Sequence, residues 1–197
     1  ATVSITVNTI NDAPVLGDVS NVAFDEDGSG SLDLSSSDVD SGDTATYSIT
    51  GGTEITAVLD GSSVTFDAPD NYNGSESFTA IVTDSGDLSD SQSFTVTVNA
   101  VNDAPELTAI NDQNMAEDGI LTINLSATDI DGDENLTFSA VSEDPENVAT
   151  EIIGNQLVIT PTDNWNVNVI ITVIVSDNEL TESQDFLLTI NPVNDAP

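Results

Sequence analysis

Four acidic clusters recur in this chain at matching places, and their residue types permit one kind of chemistry. Glu26-Asp27-Gly28 matches Glu117-Asp118-Gly119, and Asp38-Val39-Asp40 matches Asp129-Ile130-Asp131. Asp70-Asn71-Tyr72 matches Asp163-Asn164-Trp165, and Asp84 matches Asp177. A tetrapeptide, Asn-Asp-Ala-Pro, repeats with them at positions 11–14, 102–105 and 194–197. Carboxylate and amide oxygens of this sort are the donors that hard cations take, six to eight per calcium ion. The chain has 36 Asp plus Glu, no Lys, Arg or His, and a formal net charge of −36. No basic side chain can neutralise any of these acids, and a compact domain so charged repels itself. Oxygen-only ligands point to Ca2+ ahead of magnesium or the transition metals.

The missing residue types exclude other functions. Phosphate binding needs basic side chains, so nucleic acid is not an expected partner, and neither is an anionic membrane surface. Without Cys, His or Lys there is no thiol nucleophile, imidazole base, Schiff-base amine or zinc site of the usual kind. A glycosidase pair of carboxylates needs a deep cleft, which a sandwich of about 90 residues seldom offers. Asp129 to Glu134 is a poor EF-hand loop, with glycine at its fourth position and Ala140 where the closing Glu belongs. The sequence shows no apolar run near 18 residues and no signal peptide, so it is expected neither to insert in a membrane nor to carry its own address. It reads as cut from a longer chain.

The elements that must position the acids follow from periodicity. Joints spaced about 91 residues apart mean a tandem array of whole domains. Proline fixes its own φ and extends the residue before it, so each joint reads as a stiff connector offering an Asn amide and an Asp carboxylate. Hydrophobic residues make up 38% of the chain and alternate with polar ones, a strand pattern that a disordered acidic tail has no reason to keep. In the first bead the alternating stretches centre on Val22, Leu32, Tyr47, Ala57, Val64, Ala80 and Val96, seven strands with Asp60-Gly61 as a hairpin signal. The second bead repeats the scheme, with Gly154-Asn155 as its hairpin turn. Seven short strands with a turn every 8 to 12 residues or so predict an all-β fold, tandem immunoglobulin-like Greek-key sandwiches. The expected divisions are 1–14, the last strand of a preceding repeat plus its joint; 15–105, the first sandwich; and 106–197, the second. Residues 1–10 could instead pair at the edge of the first sandwich.

Loops of a sandwich gather at two ends. Asp38, Asp40 and Asp84 belong to one end of the first bead, Glu26 and Asp70 to the other; Asp129, Asp131, Asp177, Glu117 and Asp163 repeat this in the second. Stacked end to end, the beads are expected to bring Glu26 and Asp70 against Asp129, Asp131 and Asp177, with Asn102 and Asp103 between them. Six carboxylates would then gather, a charge that three divalent cations would balance. Asn11 and Asp12 would serve Asp38, Asp40 and Asp84 in the same way. Asp27, Asp60 and Asn73 read as plain turn residues. Asp43 and Asp133 align only across a gap and receive no role. Tyr72 and Trp165 are expected to pack at a corner of the core rather than to present a sugar platform.

Glu26, the Asp-x-Asp turns, the acidic turn at Asp70 and the Asn-Asp-x-Pro connector together resemble the cadherin calcium-binding pattern. More narrowly, the VNDAP joints at 101–105 and 193–197, with EDG at 26–28 and 117–119, DVD at 38–40 and DIDGD at 129–133, are similar to bacterial cadherin-like repeats of large surface adhesins and repeats-in-toxin (RTX) proteins. Animal cadherins carry two carboxylates in the turn that here reads Asp70-Asn71-Tyr72, which allows fewer than three ions per joint. The resemblance implies calcium at the domain joints and an extracellular, cell-surface location. It implies a non-enzymatic extender or adhesion segment whose partners are neighbouring repeats and a host or biofilm surface or polysaccharide. The alternative from another class is a carbohydrate-binding accessory module of a secreted polysaccharide-degrading enzyme.

Overall fold

The computed structural model describes Val3, residues 10–132 and residues 135–194. The strand expected over residues 1–10, the third joint beyond Asn194, and Asp133 and Glu134 thus lie wholly or largely outside the described residues. The chain forms two compact units, residues 1–101 and 102–197. All regular structure among the described residues is β.

Unit 1 contains β1 (Val15–Leu16), β2 (Val22–Asp25), β3 (Ser29–Asp33), β4 (Ser36–Ser37), β5 (Thr46–Gly51), β6 (Thr56–Asp60), β7 (Ser63–Asp67), β8 (Gly74–Thr83) and β9 (Ser89–Asn99). One sheet has the order β2-β9-β8-β5 and the other β3-β7-β6, with β1 paired to β4. Alternation decides what is buried. Val64 and Phe66 of β7, Phe78, Ala80 and Val82 of β8, and Phe94, Val96 and Val98 of β9 point inward. Phe66 meets Phe78 and Phe94 edge-on, with ring centroids 5.3 and 5.8 Å apart. Asp60 pairs directly with Ser63 across a two-residue turn whose first residue, Gly61, has φ +65, the conformation a glycine adopts without strain.

Unit 2 repeats the plan with β10 (Glu106–Leu107), β11 (Gln113–Ala116), β12 (Leu121–Asn124), β13 (Ala127–Thr128), β14 (Thr137–Ser142), β15 (Val148–Ile153), β16 (Gln156–Pro161), β17 (Val169–Ser176) and β18 (Thr181–Asn191). Its sheets are β11-β18-β17-β14 and β12-β16-β15, with β10 paired to β13. Its core is mainly aliphatic: Leu157, Ile159, Ile171, Val173, Val175 and Leu188 are fully enclosed. The two units are all-β immunoglobulin-like sandwiches, as the alternation predicts.

The opening strand of each unit is split between a two-stranded ladder and the four-stranded sheet, which the apolar pattern does not reveal. β1 runs antiparallel to β4, and β2 then runs parallel to the final strand β9. The crossing segment between them has few ladder partners. Side-chain oxygens take their place: Leu16 N–H donates to Asp90 Oδ2 at 2.9 Å, Val19 N–H to Gln92, and Thr95 N–H to Asn21 Oδ1 at 2.9 Å. Unit 2 does the same with Glu182, Gln184 and Asp112. With no basic side chains available, backbone N–H groups are the donors these acids find.

Candidate metal centre

Each unit has an upper end, where the turn after β4 or β13 meets the turn between the last two strands, and a lower end on the opposite side. At the upper end of unit 1, Asp38 and Asp40 follow β4. Asp38 Oδ1 accepts the N–H of Asp40 at 2.8 Å, a local turn that holds the first carboxylate in place. Asp40 Oδ2 accepts the backbone N–H of Asp12 at 2.7 Å. Asp84, only 7% exposed at the end of β8, accepts the Asn11 amide at 2.8 Å through Oδ2 and the N–H groups of Gly86 and Leu88 through Oδ1. Pro14 is buried. The first joint is therefore no loose linker, because three of its four residues are pinned to the unit that follows.

Unit 2 repeats this bond for bond. Asp131 N–H donates to Asp129 Oδ1 at 3.0 Å, and Asp103 N–H donates to Asp131 Oδ2 at 2.8 Å. Asp177, 4% exposed, takes the Asn102 amide at 2.8 Å and the N–H groups of Glu179 and Leu180. The Asn102 amide and the Leu180 N–H hold the Asp177 carboxyl below its ordinary value despite its burial.

One atom in each upper end has no donor. Asp38 Oδ2 and Asp129 Oδ2 are buried and lack any hydrogen-bond partner, at the same position of both repeats. A buried carboxylate oxygen without a donor or counter-charge is costly. Asp38, Asp43 and Asp84 each present one oxygen within 4.8 Å of the others. Among the described residues this is the one group of three acids within shared-ligand distance. The Ser85 hydroxyl and the Thr44 N–H hold the Asp43 carboxyl below its ordinary value, so it stays ionised at neutral pH.

The lower end is built differently. Glu26 is 6% exposed and Glu117 5%, each in the tight turn that precedes the second long strand of its unit. Glu26 Oε1 accepts the N–H of Val101 at 2.5 Å; Glu117 Oε1 accepts that of Val193 at 2.7 Å, and its Oε2 takes the Asn166 amide at 2.7 Å. Asp27 and Asp118, at φ +60 and +61, accept the N–H groups of Asn71 and Asn164. They tie two loops together, which is more than the turn role their sequence suggests. Asp70 and Asp163 are exposed beside them and join no three-acid group among the described residues. Tyr72 and Trp165 pack against their cores, as does Tyr47, so these rings form no exposed aromatic row.

A family model described as bacterial Ig domain matches residues 11–97 and again residues 102–189. The chain belongs to the bacterial Ig domain family. Its two bacterial Ig domains have no match among curated proteins. Among solved structures, Drosophila N-cadherin EC1-4 is similar with a TM-score of 0.56 and 12% identity, over 93% of this chain and 50% of that one. Protocadherin Gamma B2 extracellular cadherin domains 3-6 give 0.54 and 18%, over 92% and 48%. An endo-fucoidan hydrolase of glycoside hydrolase family 107 overlaps 92% of this chain and 29% of its own at a TM-score of only 0.39. The chain thus spans half or less of these structures, and at such identities the likeness is one of fold.

Two contributors to these sites escaped the sequence reading. Asn166 has a signal, because it stands three residues after Asp163 as Asn73 does after Asp70, but Asn73 reads as a turn residue and Asn166 receives no role. Asp43 has no signal, because its alignment with unit 2 requires a gap.

Proposed function

We propose that this chain is a calcium-binding, non-enzymatic extender or adhesion segment of a bacterial cell-surface or secreted adhesin. The observation that carries the reading is the pair of donorless buried oxygens, Asp38 Oδ2 and Asp129 Oδ2, in a chain without a single basic side chain. A divalent cation satisfies such an oxygen where no protein donor does, and the carboxylate and amide donors around it are those calcium takes. Asp38, Asp84 and Asn11 would hold the ion in unit 1, and Asp129, Asp177 and Asn102 in unit 2. Asp40 and Asp131 fix the connector backbone beside them. The bound ion supplies positive charge and links carboxylates that otherwise repel.

The mechanical consequence follows from consecutive residues. Val101 is held by Glu26 of unit 1, while Asn102 and Asp103, the next two residues, are held by Asp177 and Asp131 of unit 2. No slack residue separates these anchors, so ions that stiffen the acids stiffen the joint, and their removal leaves like charges to repel. Extracellular modules bind calcium with Kd on the order of 10⁻⁴ to 10⁻³ M, which suits a segment that is rigid outside the cell. Neighbouring repeats and a surface or polysaccharide gripped elsewhere on the full protein are the partners this role implies.

Small-angle scattering in millimolar calcium and again in chelator tests it. A single extended shape that becomes a broad, bent ensemble on chelation is expected. Identical curves, with no calcium taken up, would sink the calcium-stiffened strut.

A further inference from the structure

We infer that Asp43 is a direct cation ligand and that, with Asp38 and Asp84, it forms a divalent-cation site lying wholly within unit 1. The inference rests on the calcium reading above and adds a residue and a location to it. Two oxygens bound to one calcium, each at 2.3–2.6 Å, lie no more than about 5 Å apart. The three acids meet that limit, with one oxygen from each within 4.8 Å of the others. Asp38, one of the three, also carries the buried oxygen that no donor meets, Oδ2. Asp38, Asp43 and Asp84 also line one cavity of about 120 Å³, together with Pro14, Ser37 and Thr44. That is ample for an ion with a water, given that one water needs roughly 10–15 Å³ measured in the same way.

The backbone explains how Asp43 reaches this place. Gly42, at φ +92, turns the chain after Asp40, and Asp43 Oδ1 then accepts the N–H groups of Thr44 at 2.8 Å and Ser85 at 3.1 Å. These bonds lash the turn after β4 to the turn after β8. Asp43 also lines the open groove formed by Asn11, Asp40, Ser41, Gly42 and Ser85, so one carboxylate borders both the solvent-facing groove and the enclosed cavity. All three carboxylates come from positions 38 to 84, so occupancy needs no acid from a neighbouring repeat.

Calorimetric titration of the chelator-treated 197-residue chain with calcium chloride tests the inference, using wild type, D43N and D38N. D43N is expected to weaken one site by at least the roughly 10- to 100-fold that loss of an outer partner of a metal site causes. An asparagine Oδ1 keeps both N–H bonds, so D43N is expected to remain folded without calcium. Full affinity in D43N with affinity lost in D38N overturns the role of Asp43 and leaves the calcium reading intact. No calcium uptake by the wild type at 10 mM overturns both. A readout that needs no variant is carboxyl ¹³C NMR of the wild type. The Asp38, Asp43 and Asp84 signals should move together over the first equivalent of calcium, and movement of Asp38 and Asp84 without Asp43 overturns the assignment.

Discussion

The two ends of each sandwich differ in one buried oxygen: the upper end meets both oxygens of Asp84 and of Asp177 but leaves Asp38 Oδ2 and Asp129 Oδ2 without a donor. At the lower end, Glu117 is enclosed but its two oxygens are met by the Val193 N–H and the Asn166 amide. At the upper end, Asp129 has one oxygen met and the other buried without a donor. At the lower end the chain itself meets Glu117, whereas at the upper end one oxygen of Asp38 and one of Asp129 are left unmet. An acid cluster alone would not have distinguished them, since both are rich in Asp and Glu. What separates them is which oxygens the backbone reaches.

The largest effect should appear at the upper end. With Kd near 10⁻⁴ M, 10 mM calcium stabilises a unit by about 2.7 kcal/mol per site through mass action. For a domain of this size that is a rise in Tm of roughly 10–20 °C. Trp165, the one tryptophan of the chain, packs against the unit 2 core, so its fluorescence follows unit 2 alone. Asp129→Asn should abolish most of the calcium-induced rise while leaving the calcium-free Tm unchanged or slightly higher, because an uncharged amide replaces an unmet carboxylate oxygen. A D129N variant that gains as much from calcium as the wild type would erase the distinction between the ends.

Glu117→Ala should behave in reverse. It leaves the Val193 N–H and the Asn166 amide without their charged acceptor, a loss of about 2 kcal/mol that needs no calcium to be seen. The Trp165 transition should fall by roughly 10 °C in chelator. If E117A melts like the wild type without calcium, the lower end is not completed by its own donors.

How much of this was legible in the sequence follows the same division. The alternating apolar residues of β7, β8 and β9 announced themselves, because burial on one face of a strand leaves a period of two. The split opening strand did not: Gln113–Ala116 offers only Met115 as a sizeable apolar residue, and the partners of the crossing segments are Asp90, Gln92, Glu182 and Gln184, polar residues whose role depends on register. Asp38, Asp84, Asp129 and Asp177 were readable because they repeat at equal spacing. Asp43 and Asn166 were not, since their roles arise from loop closure between segments some 40 or more residues apart. The charge of −36 established that acids would lack ionic partners, but only geometry says which of them the backbone satisfies.

Glu76, near the start of β8, extends the lower-end rule to a partly exposed acid and gives the smallest expected effect. Its carboxylate accepts the hydroxyl and N–H of Thr53 and the N–H groups of Glu54 and Ile55. Those donors, the Thr53 hydroxyl foremost, lower its pKa from 4.5 to about 2. Burial, with Glu76 and Glu54 close by, raises that of the neighbouring Tyr72. A depressed folded-state pKa means that the contribution of Glu76 is complete above the unfolded value of 4.5 and disappears as pH falls towards 2. Glu76→Gln keeps one acceptor oxygen but loses the charge, and because the site is partly open to solvent the expected loss at pH 7 is about 1 kcal/mol, or roughly 4–8 °C. At the corresponding loop of unit 2 the Asn147 and Val148 N–H groups turn instead to the Asp144 carbonyl. The difference between wild type and E76Q should therefore appear in the circular dichroism of unit 1, leave the Trp165 transition unmoved, and shrink to nothing between pH 4.5 and 2. A difference that persists at pH 2 would mean that the glutamine disturbs packing around Phe78 and Tyr72 rather than the charge-assisted bonds.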